Sequence, residues 1–349
     1  MNTMTVIGWD IGGANVKIAR AENGSVRDVT QIPCPLLTDR TKFDQAVCEA
    51  LKLCPSDARH AVTMTGELSD VFANRTEGVT YLVGLMRKST GDQTQFYGGR
   101  EGFLDADGAV AQWRDVASAN WHASAALIAR RYPDGLLIDI GTTTTDIIPL
   151  KGGEVAAHGF ADGERLAEGE LVYSGIVRTP VMAVTQAAPF QGIMQRIAAE
   201  RFATMADVHR LTGDFPESAD PYPAADLRGK STAESAARLA RMLGRDASDA
   251  DLPVWTELAR YFAECQLAQI EAAVRELIAR EALDAKAPIV GAGCGRFLAK
   301  RLTEMIGRNY RDFAETINSA PEMHDMAACC APAVALSLLF EAHPVKRLE

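Results

Sequence analysis

Two copies of one short pattern in this sequence place an aspartate, a glycine and small polar residues between apolar runs. LLIDIGTTTTDIIPL (residues 136–150) has four consecutive threonines after Asp-Ile-Gly, and VIGWDIGGANVKIA (residues 6–19) has the same Asp-Ile-Gly at the end of an apolar run. Glycine permits a tight turn after each strand, so successive backbone N–H groups are exposed to a ligand. These N–H groups and the threonine hydroxyls suit phosphate oxygens. The aspartate can hold a divalent cation, commonly through water in the case of Mg²⁺.

The two turns together predict a clamp that holds a polyphosphate from two sides. Asp10 and Asp139 are the predicted metal ligands, and the predicted phosphate-binding residues are Gly12, Gly13, Asn15, Gly141, Thr142, Thr143, Thr144 and Thr145. One such turn alone is better explained as a plain hairpin. Two copies at matching positions, each with an aspartate that a hairpin does not need, favour phosphate binding.

A third glycine-rich segment, VGAGCGRF (residues 290–297), joins an apolar strand to a helix. Glycines there let the backbone approach a ligand, and the N-terminus of the helix attracts anions. We therefore add Gly291, Gly293 and Gly295 to the predicted phosphate site. Close packing between the strand and the helix explains these glycines equally well.

The elements that must position these turns alternate between strands and helices. Three strand-like runs, TVIGWDIG, NVKIARAENG and SVRDVTQIP, are bounded by turn residues, and Asn23-Gly24 is a good hairpin turn. The sequence then predicts helices over 42–53, 76–88 and 116–131, and strands at AVTMT, 94–97 and 108–113. Three antiparallel strands followed by a helix and another strand indicate an α/β unit with a mixed sheet.

The same order of strands and turns starts again after Pro133-Asp134-Gly135, in LLIDIG, TDIIPLKGG and EVAAHG. We expect one domain over residues 1–134 and a second over 135–349, with a helical insertion around 200–280. The second domain has predicted helices at 204–211, 231–242, 253–280, from 295, and at 326–340, where the helix is buried. The segment TGDFPESADPYPAADLRGKS (212–231) is predicted to be a solvated surface loop.

Composition narrows the range of partners. The 349 residues carry a formal net charge of -10, which argues against nucleic acid or an anionic membrane, since both need a basic surface. A phosphate-bearing ligand then requires a local site or a metal ion. The seven cysteines have no metal-ligand spacing and indicate reduced thiols, and no apolar run reaches the roughly 18 residues of a membrane span. We expect a cytoplasmic protein.

The order of two phosphate turns and a late glycine-rich turn resembles the actin-like, sugar-kinase and heat-shock ATPase superfamily. This resemblance implies an α/β fold in which two ribonuclease-H-like domains with mixed five-stranded sheets flank a central cleft for a nucleotide and a metal ion. It also implies that the final helix packs back on the first domain.

Longer strings carry a closer resemblance, which covers the chain from Val6 to about Ala335. WDIGGANVKIA, TMTGELSDVFANRTEGVTYLV, ASANWHASAALIA, LIDIGTTTTDIIP and DGERLAEGELVYSGIVRTPV are together similar to the hydantoinase/oxoprolinase-like synthases of methanofuran (methylofuran) biosynthesis. This is the (4-{4-[2-(gamma-L-glutamylamino)ethyl]phenoxymethyl}furan-2-yl)methanamine synthase family, whose bacterial members are labelled tetrahydromethanopterin-linked C1 transfer pathway proteins. The family implies a transferase that joins 5-(aminomethyl)furan-3-ylmethyl diphosphate to the phenol of a γ-glutamyl-tyramine-type or tyrosine-type partner. The products are an aryl ether and pyrophosphate.

In such a reaction the main task of the enzyme is to stabilise the departing pyrophosphate. Full proton transfer from a phenol with a pKa near 10 to an ordinary carboxylate with a pKa near 4 would cost roughly 8 kcal/mol. A furylmethyl carbon can spread positive charge into its ring as the diphosphate leaves, so the phenol can lose its proton late. Asp10 and Asp139 with Mg²⁺, together with Lys17, fit this task, and we expect no requirement for ATP.

Glu67 is the first candidate for the late proton acceptor, followed by Asp70 and His122. A helix N-terminal acid favoured by the dipole explains Glu67 equally well. The substrate-binding candidates are Asp70, Asn120, His122, Arg165 and Arg178. A satisfied core histidine is favoured over catalysis for His122, and an inter-domain hydrogen-bond network explains the two arginines as well as substrate binding does.

Two other functions are compatible with the scaffold, which alone does not set the chemistry. One is an ATP-dependent small-molecule kinase or amidohydrolase, and the other is a non-catalytic nucleotide-binding regulator. For the leading function the expected partners are the small-molecule diphosphate and the phenol, with neither nucleic acid nor membrane, and a homodimer is considered as the assembly.

Overall fold

The structure is a computed structural model that describes residues 4–34, 39–220 and 222–343. Its first sheet contains β1 (Thr5–Ile11), β2 (Asn15–Glu22), β3 (Ser25–Pro33), β4 (Arg59–Met64), β5 (Gln95–Tyr97) and β6 (Phe103–Leu104). The strand order is β3-β2-β1-β4-β5-β6, and β1, β4 and β5 run parallel while the other pairs are antiparallel. β1 is buried on both faces, as its nearly continuous apolar sequence predicts.

The helices of the first half are α1 (Thr41–Leu51), α2 (Arg75–Thr90), α3 (Ala106–Ala111), α4 (Trp113–Val116) and α5 (Asn120–Ala129). The strand predicted over 108–113 is wrong. Asp105 accepts a hydrogen bond from the Gly108 N–H (2.7 Å) and caps a helix there. The helix predicted over 116–131 is interrupted at Ser118, which adopts a left-handed φ of 54° between α4 and α5.

The second sheet repeats the mixed pattern of the first. It contains β7 (Gly135–Ile140), β8 (Thr145–Lys151), β9 (Glu154–Val155), β10 (Leu171–Val172), β13 (Ile289–Ala292) and β14 (Tyr310–Asp312). The order is β10-β8-β7-β13-β14, with β9 also pairing with β8. The two mixed sheets confirm the predicted fold class, but each has six strands where five were predicted. The additional strands are two residues long, too short for an alternating pattern to reveal.

Between β10 and β13 the chain forms a mainly helical region. After α6 (Asp162–Ala167), which precedes β10, it consists of the hairpin β11 (Ala187–Phe190) and β12 (Ile193–Arg196), then α7 (Met205–Thr212), α8 (Thr232–Met242) and α9 (Leu252–Arg280). The first half of α9 packs against α7 and α8 through Trp255 and Phe262. Its second half packs under the second sheet, where Ile270 and Val274 meet Ile138 of β7. One long helix therefore fixes the helical region to the sheet that carries the second turn.

The chain ends with α10 (Arg296–Met305), α11 (His324–Cys329) and α12 (Ala331–Glu341). The single helix predicted over 326–340 is wrong, because the chain bends by 103° between α11 and α12. Pro332 lies in the first turn of α12, where its missing N–H costs nothing. No single helix in the described ranges is long and apolar enough to cross a membrane, although the bent pair around Cys330 passes that test by length and composition.

The helix α12 lies on the first sheet, in contact with β1 and α5. The approach is so close that a Cβ atom built on Gly8 of β1 would lie 2.1 Å from the carbonyl oxygen of Ala333. α5 in turn contacts β8 and β9 of the second sheet. Two apolar helices thus connect the sheets.

Candidate functional site

A cavity of about 1040 Å³ lies between the two sheets. Both Asp-Ile-Gly turns border it, and so do residues from the third glycine-rich segment and from the helical region. Of the predicted site residues, those that border the cavity are Asp10, Gly12, Gly13, Asn15, Lys17, Asp70, Asn120, Asp139, Gly141, Thr142, Thr143, Thr144, Arg165, Arg178 and Gly293. The structure therefore brings together residues that are up to 283 positions apart, from Asp10 to Gly293.

The two turns have the same backbone arrangement. In the first, the Gly12 N–H donates to the Asn15 carbonyl (2.9 Å), and in the second the Gly141 N–H donates to the Thr144 carbonyl (2.9 Å). Each aspartate also faces the residue seven positions later across the antiparallel pair, Asp10 opposite Lys17 and Asp139 opposite Asp146. The repeated sequence thus corresponds to a repeated structure.

This geometry changes which N–H groups can meet a phosphate. The N–H groups of Gly12 and Gly141 close their own turns and are not available. In the described ranges no acceptor is bonded to the N–H groups of the next residues, Gly13, Ala14, Thr142 and Thr143. We therefore assign the predicted anion contacts to these groups, while the glycines at 12 and 141 shape the turns.

The threonine run divides between the cavity and the strand. Thr142, Thr143 and Thr144 border the cavity. Thr145 does not, because its side chain is fully buried in β8 and its Oγ1 donates to the Ser174 carbonyl (2.6 Å). The prediction that Thr145 binds phosphate is corrected to a structural role.

Lys17 is held beside the first aspartate. Its Nζ lies 3.7 Å from Asp10 Oδ2, and Asp10 Oδ1 is buried without a hydrogen-bond partner among the described residues. Burial raises the pKa of Asp10, and Lys17 opposes that rise. Burial alone would lower the pKa of Lys17, but Asp10 and, less strongly, Cys330 and Asp139 outweigh it, so the pKa of Lys17 is raised. The lysine therefore carries a fixed positive charge between the turns.

The second aspartate has a negative neighbour instead. Burial and, less strongly, the charge of Asp146 raise the pKa of Asp139 to about 7, against the effect of Lys17. Arg165 neutralises Asp146 through a bond of 2.7 Å. Its guanidinium is 1% exposed, lies 4.0 Å from the centre of the Trp121 ring and also donates to the Glu170 carbonyl. Arg165 is thus mainly a structural partner of Asp146 at the cavity wall.

The donor set at the two turns fits Mg²⁺. This ion commonly takes one or two carboxylates and completes its shell with water and substrate phosphates. The unpaired Oδ1 of Asp10 and the poorly compensated charge of Asp139 provide such carboxylates. In the part of the chain that the structure describes, no group of three or more His, Cys, Asp or Glu side chains could hold a metal alone. An ion here would therefore depend on substrate oxygens and water.

Only one glycine of the third segment borders the cavity. Gly293 has a φ of 81°, and a Cβ there would lie 2.4 Å from Asp139 Oδ1. Gly291 lies against the Tyr310 ring, and Gly295 packs on Ile140 and donates its N–H to the Ile140 carbonyl (2.8 Å). The phosphate role predicted for Gly291 and Gly295 is corrected to close packing.

Two predicted side chains lie behind the cavity wall. Glu67 is 1% exposed and does not border the cavity, but Ser118, which does, donates from Oγ to Glu67 Oε1 (2.9 Å). Burial raises the pKa of Glu67 to about 7. His122 is buried against Tyr97, with 2.9 Å between Nδ1 and the hydroxyl, and burial lowers its pKa to about 4. His122 is therefore a neutral packing residue, and its predicted role in the site is corrected.

Two features of the site were missed from the sequence. The loop predicted to be solvated, 212–231, borders the cavity with Asp214, Phe215, Pro216, Ala219 and Tyr222. The Tyr222 hydroxyl accepts a hydrogen bond from Asn15 Nδ2 (2.6 Å), from the other side of the cavity. Ser118 was also missed. The aromatic residues in an otherwise polar loop were the only signal that the sequence offered for this wall.

Comparison with known proteins identifies relatives at the level of sequence and of fold. The family model described as Hydantoinase/oxoprolinase matches residues 59–324. The (4-{4-[2-(gamma-L-glutamylamino)ethyl]phenoxymethyl}furan-2-yl)methanamine synthase of Methanocaldococcus jannaschii is 31% identical over 243 residues, which are 69% of this chain and 72% of that protein. The protein of the same name from Methanococcus vannielii is 31% identical over 111 residues, 32% of this chain and 50% of that protein.

Among solved structures, nucleotide-free acetone carboxylase aligns with a TM-score of 0.53 and 10% identity, over 96% of this chain and 70% of that one. At this identity the likeness shows the fold alone. With the repeated mixed sheets, it confirms the actin-like ATPase fold that the sequence predicted.

Proposed function

The chain belongs to the hydantoinase/oxoprolinase family, and from that premise we propose that it is a methanofuran-biosynthesis synthase that forms an aryl ether with diphosphate as the leaving group. The substrates are 5-(aminomethyl)furan-3-ylmethyl diphosphate and the phenol of a γ-glutamyl-tyramine-type or tyrosine-type molecule. The bond between the furylmethyl carbon and the diphosphate oxygen breaks, and the phenol oxygen bonds to that carbon. The name of the two relatives supports this reaction, because it describes a phenoxymethyl group attached to a furan.

The observation that carries the proposal is the pair of matched turns. They present four unbonded N–H groups and three threonine hydroxyls to one cavity, with Lys17 between the two aspartates. Donors that are fixed before the reaction stabilise negative charge as it develops on a leaving group. Departing pyrophosphate has more negative charge than the diphosphate ester, so the turns would bind it more strongly as the bond breaks.

Asp10 and Asp139 would hold Mg²⁺ at this site. The ion would neutralise charge on the diphosphate. When both are ionised, Asp10 and Asp139 carry more negative charge than Lys17 offsets, and without a cation this balance does not favour an anion. Lys17, the backbone N–H groups and the threonine hydroxyls would then orient the phosphates around the metal ion.

We propose that the proton of the phenol leaves through Ser118, a residue that was not predicted from the sequence. Ser118 reaches the cavity and Glu67 does not, so the phenol would give its proton to Ser118 Oγ while Ser118 gives its own to Glu67. Glu67 Oε2 is buried without a partner among the described atoms, which favours a carboxyl group that gains a proton. A pKa of about 7 at Glu67 lowers the cost of accepting a phenol proton from roughly 8 to roughly 4 kcal/mol.

The test is a reaction of the purified protein with Mg²⁺, the aminomethylfuran diphosphate and tyramine. We expect pyrophosphate release that requires the phenol and does not require ATP, together with the aryl ether detected by mass spectrometry. The O-methyl ether of tyramine is the control, because it has the same charge and only one additional methyl group but no hydroxyl, and it should give no product. ADP formation with ATP and no aryl ether would contradict the proposal and favour a kinase.

A further inference from the structure

The cavity has a third wall, contributed by the segment between α7 and α8 that connects the two helices. The described residues of this segment, 213–220 and 222–231, are called the insertion loop below. Five of its residues border the cavity, and Tyr222 is the one whose polar atom contacts the opposite wall. The insertion loop is separate in sequence from both Asp-Ile-Gly turns, so its presence at the same site requires its own explanation.

The Tyr222 hydroxyl lies between the two turns. It accepts a hydrogen bond from Asn15 Nδ2 (2.6 Å), and Asn15 belongs to the first turn. Burial raises the pKa of Tyr222, while Lys17 and the side chain of Thr142 in the second turn act against that rise because they lie near the hydroxyl. Since Asn15 is the donor, the hydroxyl hydrogen of Tyr222 remains to be donated. Its nearest surroundings are the residues predicted to bind phosphate.

A buried set of ion pairs holds Tyr222 in this position. Asp220 Oδ1 accepts from the Tyr222 N–H (3.0 Å), and Asp220 Oδ2 accepts from Arg210 (2.8 Å). Arg210 also bonds Asp207, which in turn accepts from Arg238 (2.7 Å). The Arg210, Asp220, Asp207 and Arg238 side chains are all at most 5% exposed. Through Asp220, these ion pairs fix the backbone at Tyr222 relative to α7 and α8.

We propose that Tyr222 is a ligand of the diphosphate and donates its hydroxyl hydrogen to a phosphate oxygen between the two turns. The inference rests on the proposed function for the identity of the anion, a diphosphate ester. The insertion loop is then a preformed part of the anion site and not a solvated connection. A neutral tyrosine suits the position because it adds a hydrogen-bond donor without adding another full charge beside Lys17.

The experiment compares the affinity of Tyr222→Phe and of the unchanged protein for inorganic pyrophosphate with Mg²⁺, by isothermal titration calorimetry. We expect Tyr222→Phe to bind pyrophosphate about 10- to 100-fold more weakly, because a hydrogen bond to a charged group is lost. Tyr261→Phe is the matched control. Tyr261 lies on α9 and does not border the cavity, so the Tyr261→Phe protein should bind pyrophosphate as tightly as the unchanged protein.

The melting temperature without ligand separates binding from folding. If Tyr222→Phe has a lower melting temperature but binds pyrophosphate like the unchanged protein, the hydroxyl only stabilises the fold through its hydrogen bond with Asn15. The proposal is then overturned. An unchanged affinity with an unchanged melting temperature overturns it as well. If the unchanged protein forms no aryl ether but Tyr222→Phe still binds pyrophosphate more weakly, the proposed function fails while the role of Tyr222 as an anion ligand stands.

Discussion

At the scale of single residues, the two turns have the same backbone but different charges. Lys17 lies opposite Asp10, whereas Asp146 occupies the equivalent position opposite Asp139. Like charges facing each other across a strand pair are unfavourable, and Arg165 compensates Asp146 directly. Asp139 is therefore the carboxylate that has most to gain from a metal ion. This asymmetry also means that the two aspartates should respond differently to substitution.

Replacing Asp139 with asparagine should separate catalysis from folding. We expect Asp139→Asn to lower kcat by at least about 100-fold, as expected when a charge that stabilises the transition state is removed. Its melting temperature should be unchanged or higher, because a buried negative charge beside Asp146 disappears. The checks are steady-state kinetics and thermal unfolding. Asp57→Asn, the same change at an exposed position, is the control, and a near-normal rate for Asp139→Asn would show that the second turn is wrongly assigned.

Glu67 should make the stability of the protein fall as the pH rises. Its pKa is raised from 4.5 to about 7 in the folded state, so the folded protein holds the proton more tightly than the unfolded chain. The contribution to the free energy of unfolding is complete below about pH 4.5 and is lost between that pH and about 7. The Gln variant has no such titration. Between pH 4.5 and pH 8 the free energy of unfolding of Glu67→Gln should therefore rise, relative to that of the unchanged protein, by up to about 3 kcal/mol.

Denaturant unfolding at pH 4.5 and pH 8 measures this difference. Because both proteins contain Asp139, which also titrates near pH 7, only the difference between them reports on Glu67. Gln can still accept the hydrogen bond from Ser118, so the shape of the site is retained. A stability difference that does not change with pH would contradict the assigned pKa. If Glu67 also accepts the phenol proton, kcat of Glu67→Gln should lose the rise that the unchanged enzyme shows as the pH increases through about 7.

At the scale of elements, the contact of α12 with β1 fixes the first turn. β1 carries Asp10 at its end, and Gly8 two residues earlier lies under the helix. A Cβ on Gly8 would lie 2.1 Å from the Ala333 oxygen and 2.6 Å from the Ser337 nitrogen. Both are backbone atoms, so the helix would have to move as a whole.

Gly8→Ala should destabilise the protein by about 3 kcal/mol or more, at the upper end for inserting a group into a packed interface. The measurement is the free energy of unfolding in denaturant. Gly84→Ala is the control, because Gly84 is exposed on α2 and a Cβ there meets no atom within 4 Å. It should leave stability unchanged or raise it by about 0.5–1 kcal/mol, since alanine favours a helix. Equal stability of Gly8→Ala and the unchanged protein would show that α12 packs less closely than described.

The elements that carry the turns could be predicted from sequence, because the signal is local. The strands β1 and β7 are continuous apolar runs that stop at Asp-Ile-Gly, and the repeat at a matching position strengthens each. Helices with amphipathic patterns, such as α8 and α9, were also predicted to within a few residues. The break between α11 and α12 was not predicted, because the apolar sequence pattern continues without interruption through Cys330 and Pro332.

The remaining parts of the site depend on contacts between distant residues. Tyr222 reaches the cavity because Asp220 is bound to Arg210 and, through Asp207, to Arg238, and no periodic pattern predicts such pairs. Glu67 was predicted as a cavity residue but lies behind Ser118, since its burial depends on the close packing of Gly78 against it. Residue type therefore indicated the chemistry, and tertiary packing decided which side chains reach the cavity.

At the scale of the whole molecule, polar side-chain contacts at or near the cavity join the halves of the chain. Asn15 bonds Tyr222, and Arg75 at the start of α2 lies 3.5 Å from Asp162 at the start of α6. Each contact joins a single pair of side chains, whereas the helices α5 and α12 connect the sheets through clusters of buried apolar residues. A ligand that bonds both turns would add contacts between the halves of the chain and should therefore stabilise the folded protein.

Pyrophosphate with Mg²⁺ should raise the unfolding temperature more than ATP with Mg²⁺ does at the same concentration. A ligand that binds only the folded protein stabilises it by about 2.7 kcal/mol when present at 100 times its Kd, so the better ligand gives the larger shift. If the cavity is adapted to a departing pyrophosphate, the adenosine of ATP adds bulk without a matching site. The measurement is thermal unfolding at several concentrations of each ligand. Asp139→Asn should lose most of the pyrophosphate shift, and a larger shift with ATP in the unchanged protein would instead favour a nucleotide-dependent activity.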